Sequence, residues 1–124
     1  MRSANLLLLV PLSACAAPQP AETQRQAVEL AGRVAGVSQQ CLTETGTEAL
    51  RVSETDGHVL LYGRGKTIWA NDLGAACGFS VNDTLVTQAI ASRFCRGDYV
   101  RSLDRVSRIP GPSCRLGDFV PYTR

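Results

Sequence analysis

The fold of this chain is decided by residues 49–73, which read ALRVSETDGHVLLYGRGKTIWANDL. The first part, 49–55, alternates apolar and polar residues, as a strand with one buried face does. Asp56-Gly57 is a strong short-range signal for a hairpin turn, and the dense apolar run 58–62 indicates the strand that follows it. These segments therefore predict two antiparallel strands.

A second turn and a third strand follow directly. The glycine-rich tripeptide 63–65 reverses the chain, and residues 66–73 return as an apolar strand around Trp69. Three consecutive strands joined by short turns form a meander. The meander makes an antiparallel β fold the expected class.

Outside the meander, turn residues divide the chain into several more short strands. They are expected over 83–90, where residues 84, 86 and 88 share one face, and over 94–103 and 116–122. A Pro/Gly loop is expected at 109–112. Short strands separated by Gly and Pro predict a mostly β domain, either a small antiparallel β-sandwich or a partly open barrel.

One short N-terminal helix is expected ahead of these strands. Apolar residues recur at mixed three- and four-residue spacing over 22–40, with Thr23 as a candidate N-cap. Gly32 and Gly36 interrupt the pattern, and a glycine inside a helix costs up to about 1 kcal/mol. The helix is therefore expected to be short.

The domain contains an even set of cysteines: Cys41, Cys77, Cys95 and Cys114. Such a set in a small secreted domain predicts two disulfides. Four cysteines allow three pairings, of which we favour Cys77–Cys95 enclosed by Cys41–Cys114. A structural zinc site is the weaker alternative, because no two of these cysteines are as close as C-x₂₋₄-C.

The N-terminus has the proportions of a secretory signal. Arg2 precedes a short apolar run over 4–12, which cannot supply the roughly 20 apolar residues of a transmembrane helix. The run ends in Leu12-Ser13-Ala14-Cys15, which resembles a bacterial lipobox, where a lipoprotein precursor is acylated on cysteine and cleaved before it. The alternative is an ordinary signal peptide cut at a later alanine, with Cys15 discarded.

The lipobox resemblance implies a division of the chain. Residues 1–14 are the lipoprotein signal peptide, and residues 15–26 hold the lipidated Cys15 and a flexible tether rich in Ala, Pro, Gln and Glu. Residues 27–124 have the length of a single domain. Two or more acyl chains such as palmitate anchor a protein firmly. Ala16 is not the aspartate that commonly retains lipoproteins at the inner membrane, so the expected location is the outer membrane of a Gram-negative bacterium, facing the periplasm.

The charge balance of the mature chain is close to neutral. Lys and Arg number 13 in the sequence against 11 Asp and Glu, and Arg2 leaves with the signal peptide. A nucleic-acid partner would require a strongly basic domain, so none is expected. The C-terminal third is nevertheless rich in arginine and could face an anionic lipid or glycan, although a solvated face is favoured. Its arginines are Arg93, Arg96, Arg101, Arg105, Arg108, Arg115 and Arg124.

The cysteine-containing segments carry a family resemblance. They are Cys77-Gly-Phe, Phe94-Cys95-Arg-Gly-Asp98 and Cys114-Arg-Leu-Gly-Asp-Phe119, in this order after the apolar hairpin. Together they resemble a family of uncharacterised four-cysteine proteobacterial lipoproteins, small domains of unknown function, over roughly residues 41–122. The resemblance implies the envelope compartment and a disulfide-stapled β domain, and it brings no known reaction or catalytic residue.

None of the short motifs completes a catalytic or nucleotide-binding set. The Gly-Lys-Thr run at 65–67 resembles the end of a P-loop, but Leu60 stands where a P-loop needs glycine, so the run is interpreted as a hairpin turn. The Arg-Gly-Asp run at 96–98 is interpreted as a turn beside Cys95. His58 is the only histidine, has no motif partner for nucleophilic catalysis, and is interpreted as an exposed strand residue.

Carboxylates and aromatic residues supply weaker candidates. Two acids could flank a glycan cleft, but Asp56, Asp98 and Asp118 stand beside glycines, where bonds to turn backbone explain them. The aromatic side chains at 62, 69, 79 and 99 could form a ligand platform, although core positions are favoured. The residues retained as candidate ligand-binding positions are Trp69, Tyr99, Arg101, Arg105 and Arg108.

Three classes of function remain, in order of preference. The first is a non-catalytic envelope lipoprotein, a structural or interaction module anchored by Cys15 that contacts an envelope protein, lipid or glycan. The second is a small-ligand or inhibitor-type binding domain that uses the arginine-rich C-terminal third. The third is a cell-wall or envelope hydrolase. The preferred class is not an enzyme and needs no cofactor or metal.

Overall fold

The computed structural model of the chain describes residues 27–44, 48–88 and 91–124. The expected signal peptide, Cys15 and the tether lie outside these residues. The described part holds a single turn of 3₁₀-helix and ten β-strands. In chain order these are the 3₁₀ turn Val28–Leu30, β1 (Val34–Ala35), β2 (Cys41–Thr43), β3 (Arg51–Val52), β4 (Val59–Tyr62), β5 (Thr67–Asp72), β6 (Thr84–Thr87), β7 (Arg93–Cys95), β8 (Tyr99–Leu103), β9 (Pro110–Arg115) and β10 (Phe119–Thr123).

The strands pair antiparallel and form three sheets. The meander predicted over 49–73 is confirmed as β3, β4 and β5, which are neighbours in a five-stranded sheet of order β1-β10-β5-β4-β3. A second sheet has the order β6-β8-β9, and β2 pairs with β7 in a third. Antiparallel strands dominate the described part of the chain, which confirms the predicted mostly β, antiparallel class. The sheets do not close into a barrel.

Strand β4 lies at the centre of the core, because all four of its residues are buried. One of its faces belongs to a large cluster to which all three sheets contribute. On the opposite face, Val59 and Leu61 belong to a smaller cluster that also contains Ala27 and Leu30, so the 3₁₀ turn covers that side of the sheet. The large cluster consists of Leu42, Leu50, Val52, Leu60, Tyr62, Phe79, Phe94, Val100, Cys114, Leu116 and Phe119.

The two predicted disulfides are confirmed, but the favoured pairing is wrong. The bonds join Cys41 to Cys95 and Cys77 to Cys114. Cys41 and Cys95 stand directly opposite each other on β2 and β7, with their Cα atoms 4.0 Å apart. Cys77 lies in the loop after β5, and its bond to Cys114 of β9 ties that loop to the three-stranded sheet. Pairing follows from which distant strands become neighbours, and spacing along the chain does not encode that.

The short helix predicted over 22–40 is wrong for its described part, 27–40. That part contains one 3₁₀ turn followed by β1, which pairs with β10. Gly32 has a φ of +73°, outside the helical region, and it stands directly before the extended segment. Of the apolar residues that suggested a helical face, Leu30 is buried, whereas Val28, Val34 and Val37 are exposed.

The loop predicted at 109–112 is largely part of a strand. β9 runs over Pro110–Arg115 and lies at the edge of the three-stranded sheet. Proline is tolerated there because an edge strand has one side without ladder hydrogen bonds. The strand predicted over 94–103 is divided into β7 and β8 by the turn predicted at the Arg-Gly-Asp run, where Gly97 has a φ of +90°.

Gly57 is required by close packing and not by its backbone angle. Asp-Gly favours tight hairpins because glycine readily accepts positive φ, but Gly57 does not have a positive φ, and the connection from β3 to β4 is longer than two residues. A Cβ atom on Gly57 would lie 2.5 Å from the backbone oxygen of Phe79. Phe79 N also donates a hydrogen bond to Gly57 O at 2.8 Å. The missing side chain lets the two backbone segments touch.

Replacing Gly57 by Ala or Asn should lower the free energy of unfolding by roughly 1–3 kcal/mol, because either side chain forces the Phe79 carbonyl to move. Gly65 is the matched control, since its φ is +82° and an added Cβ would meet no atom within 4 Å. There Asn should be tolerated better than Ala, because Asn adopts positive φ more readily. Urea unfolding of the variants measures this, and a Gly57→Asn chain as stable as the unchanged protein would contradict the packing explanation.

Candidate functional site

An exposed face of the three-stranded sheet brings aromatic and polar side chains together. On β8, Tyr99 and Arg101 are two residues apart and therefore lie on the same side of the sheet. Arg101 is opposite Val86 of β6 and opposite Ser113 of β9, and Tyr99 is opposite Arg115. We call these five residues the arginine–tyrosine face.

The arginine–tyrosine face contains a shallow groove of about 310 Å³. Gln88 and every member of the face except Arg115 line it. Tyr99 is 51% exposed and Val86 is 49% exposed, so both present large surfaces to solvent. Exposed tyrosine and arginine side chains beside an apolar residue are typical of the centre of a protein interface.

Arg115 holds Tyr99 in place. Its guanidinium carbon lies 4.7 Å from the centre of the Tyr99 ring, which is a cation–π contact. Its Nη2 atom also donates a hydrogen bond to the Tyr99 hydroxyl. Because both contacts restrain the tyrosine before any partner arrives, less side-chain entropy is lost when one binds.

Arg101 is the unpaired member of the face. It is exposed, and in the part of the chain that the structure describes its guanidinium makes no hydrogen bond or ion pair. An arginine side chain carries five N–H donors and pairs most strongly with carboxylates and phosphates. Arg101 is therefore free to bind an acidic group.

The other two candidate arginines lie in a different place. Arg105 and Arg108 belong to the connection between β8 and β9, and they line a separate groove of about 250 Å³. Asp104 orders this connection, since its Oδ1 accepts hydrogen bonds from the backbone N of Ser107 at 2.7 Å and from the Ser107 hydroxyl at 3.0 Å. These bonds hold the pKa of Asp104 below its ordinary value. The three predicted arginines therefore do not form one site.

The predicted aromatic platform is divided between the core and the surface. Tyr62 and Phe79 are buried, and Trp69 is half-buried against the same core cluster. Tyr62 also packs edge-on against Phe94, with the ring centres 6.0 Å apart. The favoured core interpretation is confirmed for these aromatic residues. Only Tyr99 of the four lies on the arginine–tyrosine face, so Trp69 does not belong to the candidate site.

His58 and the domain cysteines are engaged in structural bonds. The Nδ1 atom of His58 lies 2.8 Å from the carbonyl oxygen of Cys77, to which it can donate a hydrogen bond. The histidine is half-buried in the connection just before β4, so its interpretation as an exposed strand residue is wrong. The four cysteines of the domain are all in disulfides.

The acids beside glycines act mainly in turns, as predicted. Asp56 Oδ1 accepts a hydrogen bond from the backbone N–H two residues later at 3.0 Å, and Asp98 Oδ2 accepts one from the N–H three residues earlier at 2.8 Å. Asp118 differs, because it forms an ion pair with Arg96 at 3.2 Å. The Gly-Lys-Thr and Arg-Gly-Asp runs fall at turns, which confirms both turn predictions.

Sequence reasoning named Tyr99 and Arg101 but missed their neighbours Ser113 and Arg115. Both missed residues lie on β9, a strand that was not predicted because its prolines indicated a loop. Had β9 been predicted, its two-residue spacing would have placed Ser113 and Arg115 on one face. The register that sets them beside β8 depends on tertiary structure.

In residues 27–44, 48–88 and 91–124, no group of three or more His, Cys, Asp or Glu side chains could hold a metal ion. In the same residues no helix has the length and apolar character that crossing a membrane requires. Comparison with protein-family models, with curated proteins and with solved structures finds no match.

Proposed function

We propose that this chain is a lipid-anchored protein of the bacterial envelope whose domain is a non-catalytic interaction module. The observation that carries the proposal is the arginine–tyrosine face, where Arg115 holds an exposed Tyr99 beside an unpaired Arg101. Tyrosine and arginine side chains are over-represented among the residues that dominate binding energy in protein interfaces. The partner is an envelope protein that presents a carboxylate to Arg101 and apolar surface to Val86 and Tyr99.

The anchoring part of the proposal is supported by the sequence. Leu12-Ser13-Ala14-Cys15 resembles a lipobox, and acylation of Cys15 would hold the domain at the periplasmic side of the outer membrane. The tether over 15–26 could then extend to at most roughly 40 Å between membrane and domain. The resemblance of the cysteine segments to four-cysteine lipoproteins supports the same compartment.

The non-catalytic part is supported by what the reactive side chains do. His58 is hydrogen-bonded to the Cys77 carbonyl, and the domain cysteines are in disulfides. Asp56 and Asp98 stabilise turns. By contrast, the arginine–tyrosine face is exposed and fixed on a sheet, as a binding surface is.

Photo-crosslinking in living cells tests the proposal. A photoreactive amino acid at Val86 should give a discrete adduct with an envelope protein. The substitution Arg101→Ala should lower the adduct yield by about tenfold, because a hydrogen bond to a charged group contributes roughly 1.5–3 kcal/mol. Val106 is the matched control position, since it is 93% exposed in the β8–β9 connection, and it should give no such adduct.

The same cells test the anchor. The unchanged chain should fractionate with the outer membrane, and a Cys15→Ser variant should appear in the soluble periplasmic extract. Equal adducts from positions 86 and 106, or an adduct unaffected by Arg101→Ala, would contradict the interaction surface. An unlipidated mature chain in the soluble extract of unchanged cells would contradict the anchor.

A further inference from the structure

A second and larger cleft lies between two sheet edges. β3 is the edge strand of the five-stranded sheet, and β6 is an edge strand of the three-stranded sheet. Val52 of β3 and Leu85 of β6 both line a cleft of about 700 Å³. Three arginines line it from different elements, namely Arg51 of β3, Arg64 of the β4–β5 turn and Arg105 of the β8–β9 connection. We call it the arginine cleft.

Arg51 is the member of this cleft with an unmet hydrogen-bonding requirement. It is half-buried, and its Nη1 atom is buried with no hydrogen-bond partner in the described part of the chain. A buried donor without an acceptor costs free energy, and such atoms are few in native proteins. Burial, followed by the nearby Arg64 guanidinium, lowers the pKa of Arg51 below its ordinary value, and the carboxylates of Glu29, Glu48 and Glu54 offset this only in part. An anion in the cleft would offset both effects.

Three acids line the cleft, Glu29, Glu54 and Asp83, and the carboxylates of the first and the last are hydrogen-bonded to the protein itself. The Glu29 carboxylate accepts hydrogen bonds from Ser53 Oγ at 2.8 Å and from Glu54 N at 2.7 Å. Asp83 accepts one from Ser80 N at 3.0 Å. The guanidinium groups of the three arginines, in contrast, have neither a hydrogen bond nor an ion pair within the described ranges. Because each guanidinium carries five N–H donors, the unused donors of the arginine cleft outnumber the acceptor positions of the Glu54 carboxylate.

We propose that the arginine cleft binds an oxyanion, carried as a carboxylate or phosphate group, through Arg51, Arg64 and Arg105. Both groups present oxygen acceptors that match the planar fork of a guanidinium. The apolar walls at Val52 and Leu85 contact the body of the ligand that carries the group. The cleft shares no residue with the arginine–tyrosine face, so this site is independent of the proposed protein interface.

A soluble metabolite and the head group of an anionic lipid offer the same oxyanion chemistry. Calorimetric titration of the purified full mature chain, with its disulfides intact in a non-ionic detergent, separates the two sources. The probes are inorganic phosphate, succinate, and glycerophosphoglycerol, which is the deacylated head group of phosphatidylglycerol. Preference for phosphate or succinate indicates a soluble anion, and preference for glycerophosphoglycerol indicates a lipid head group. Both outcomes support the cleft as an oxyanion site.

Two arginine variants and one control decide whether binding occurs in the cleft. Arg51→Gln should weaken binding of the preferred probe by about tenfold or more, as expected for loss of a charge-assisted hydrogen bond. Arg64→Gln should weaken it by roughly threefold to tenfold, and this exposed turn residue can be replaced without disturbing the core. Arg93→Gln, at an exposed position of β7 outside both the cleft and the arginine–tyrosine face, should leave the affinity within about twofold.

The proposed oxyanion site is overturned if none of the three probes binds saturably. It is also overturned if the affinity for the preferred probe is the same in the unchanged chain and in both cleft variants. It is also overturned if Arg101→Gln abolishes binding while Arg64→Gln does not, since the anion would then occupy the arginine–tyrosine face. Urea unfolding of each variant shows that it is folded during the titration.

Discussion

Replacing Cys41 and Cys95 together by alanine should lower the free energy of unfolding by about 4 kcal/mol. The bond closes a loop with a sequence separation of 54, and loop-closure entropy in the unfolded chain gives that magnitude. Replacing Cys77 and Cys114 should cost a similar amount, since their separation is 37. Whole domains are stable by only about 5–15 kcal/mol, so either loss removes a large fraction of the total. Urea unfolding under non-reducing conditions measures it.

The two disulfides should differ in what else they disturb. Cys41–Cys95 joins β2 to β7, which among the described residues pair only with each other, so its loss should loosen mainly that two-stranded sheet. Cys77–Cys114 joins the loop after β5 to β9, and Cys114 stands between the two β9 members of the arginine–tyrosine face. We therefore expect the Cys77/Cys114 variant to lose crosslinking at Val86 to a greater extent than the Cys41/Cys95 variant.

A mixed variant tests the pairing directly. Replacing Cys41 and Cys114 removes one partner from each disulfide, and the unfolded, unreduced chain should then show free thiols at Cys77 and Cys95. Replacing Cys41 and Cys95 should leave no free thiol in the domain. If the mixed variant showed no free thiol and retained the stability of a chain with one native disulfide, the pairing described above would be wrong.

Replacing Asn71 by leucine should lower the free energy of unfolding by about 2–4 kcal/mol. Asn71 lies on β5 and is fully buried. Its Nδ2 donates to Gly117 O and its Oδ1 accepts from Gly117 N, both at 2.8 Å. Leucine would leave two backbone groups of the β9–β10 connection without partners, at roughly 1–3 kcal/mol each. Thermal or urea unfolding measures the loss.

The Asn71→Asp variant adds a pH signature. A neutral aspartic acid can still donate to Gly117 O, while burial disfavours the ionised form and raises the pKa of the new carboxyl in the folded state. Its contribution should be present below about pH 4, where an unfolded aspartic acid is protonated, and should be lost as the pH rises through the higher folded pKa. Asn82→Asp, at an exposed turn position, is the control and should show no such loss. An Asn71→Leu chain as stable as the unchanged protein would contradict the assigned role.

The candidate site could be predicted only in part. Tyr99 was identified as one of the aromatic residues that could form a ligand platform, and Arg101 as part of the arginine-rich C-terminal third. The exposed positions of β6 follow the predicted alternation. Arg105 and Arg108 follow Arg101 closely in the chain but lie in the connection beyond β8. Proximity in sequence was therefore a poor guide to which arginines act together. Arg51 was not predicted as a site residue, because no local sequence pattern shows that folding buries its Nη1 atom without a hydrogen-bond partner in the described part of the chain.

Local interactions determined what could be derived from the sequence. Three features follow from hydrophobic alternation and from the backbone preferences of glycine, which are properties of residues close together in the sequence. They are the β3-β4-β5 meander, the turn at the Gly-Lys-Thr run and the turn at Gly97. The even set of four domain cysteines likewise indicated two disulfides. None of these predictions depends on contacts between residues that are distant in the sequence.

Contacts between distant segments decided the rest. The tertiary structure places β10 beside β5, sets Cys41 opposite Cys95, makes Gly57 touch Phe79 and joins Asn71 to Gly117. Local sequence allows the strands to be arranged in many different orders within the sheets. The observed order is selected because it buries the apolar faces of all the strands in one core. The arginine–tyrosine face and the arginine cleft both lie where that selection brought separate strands together.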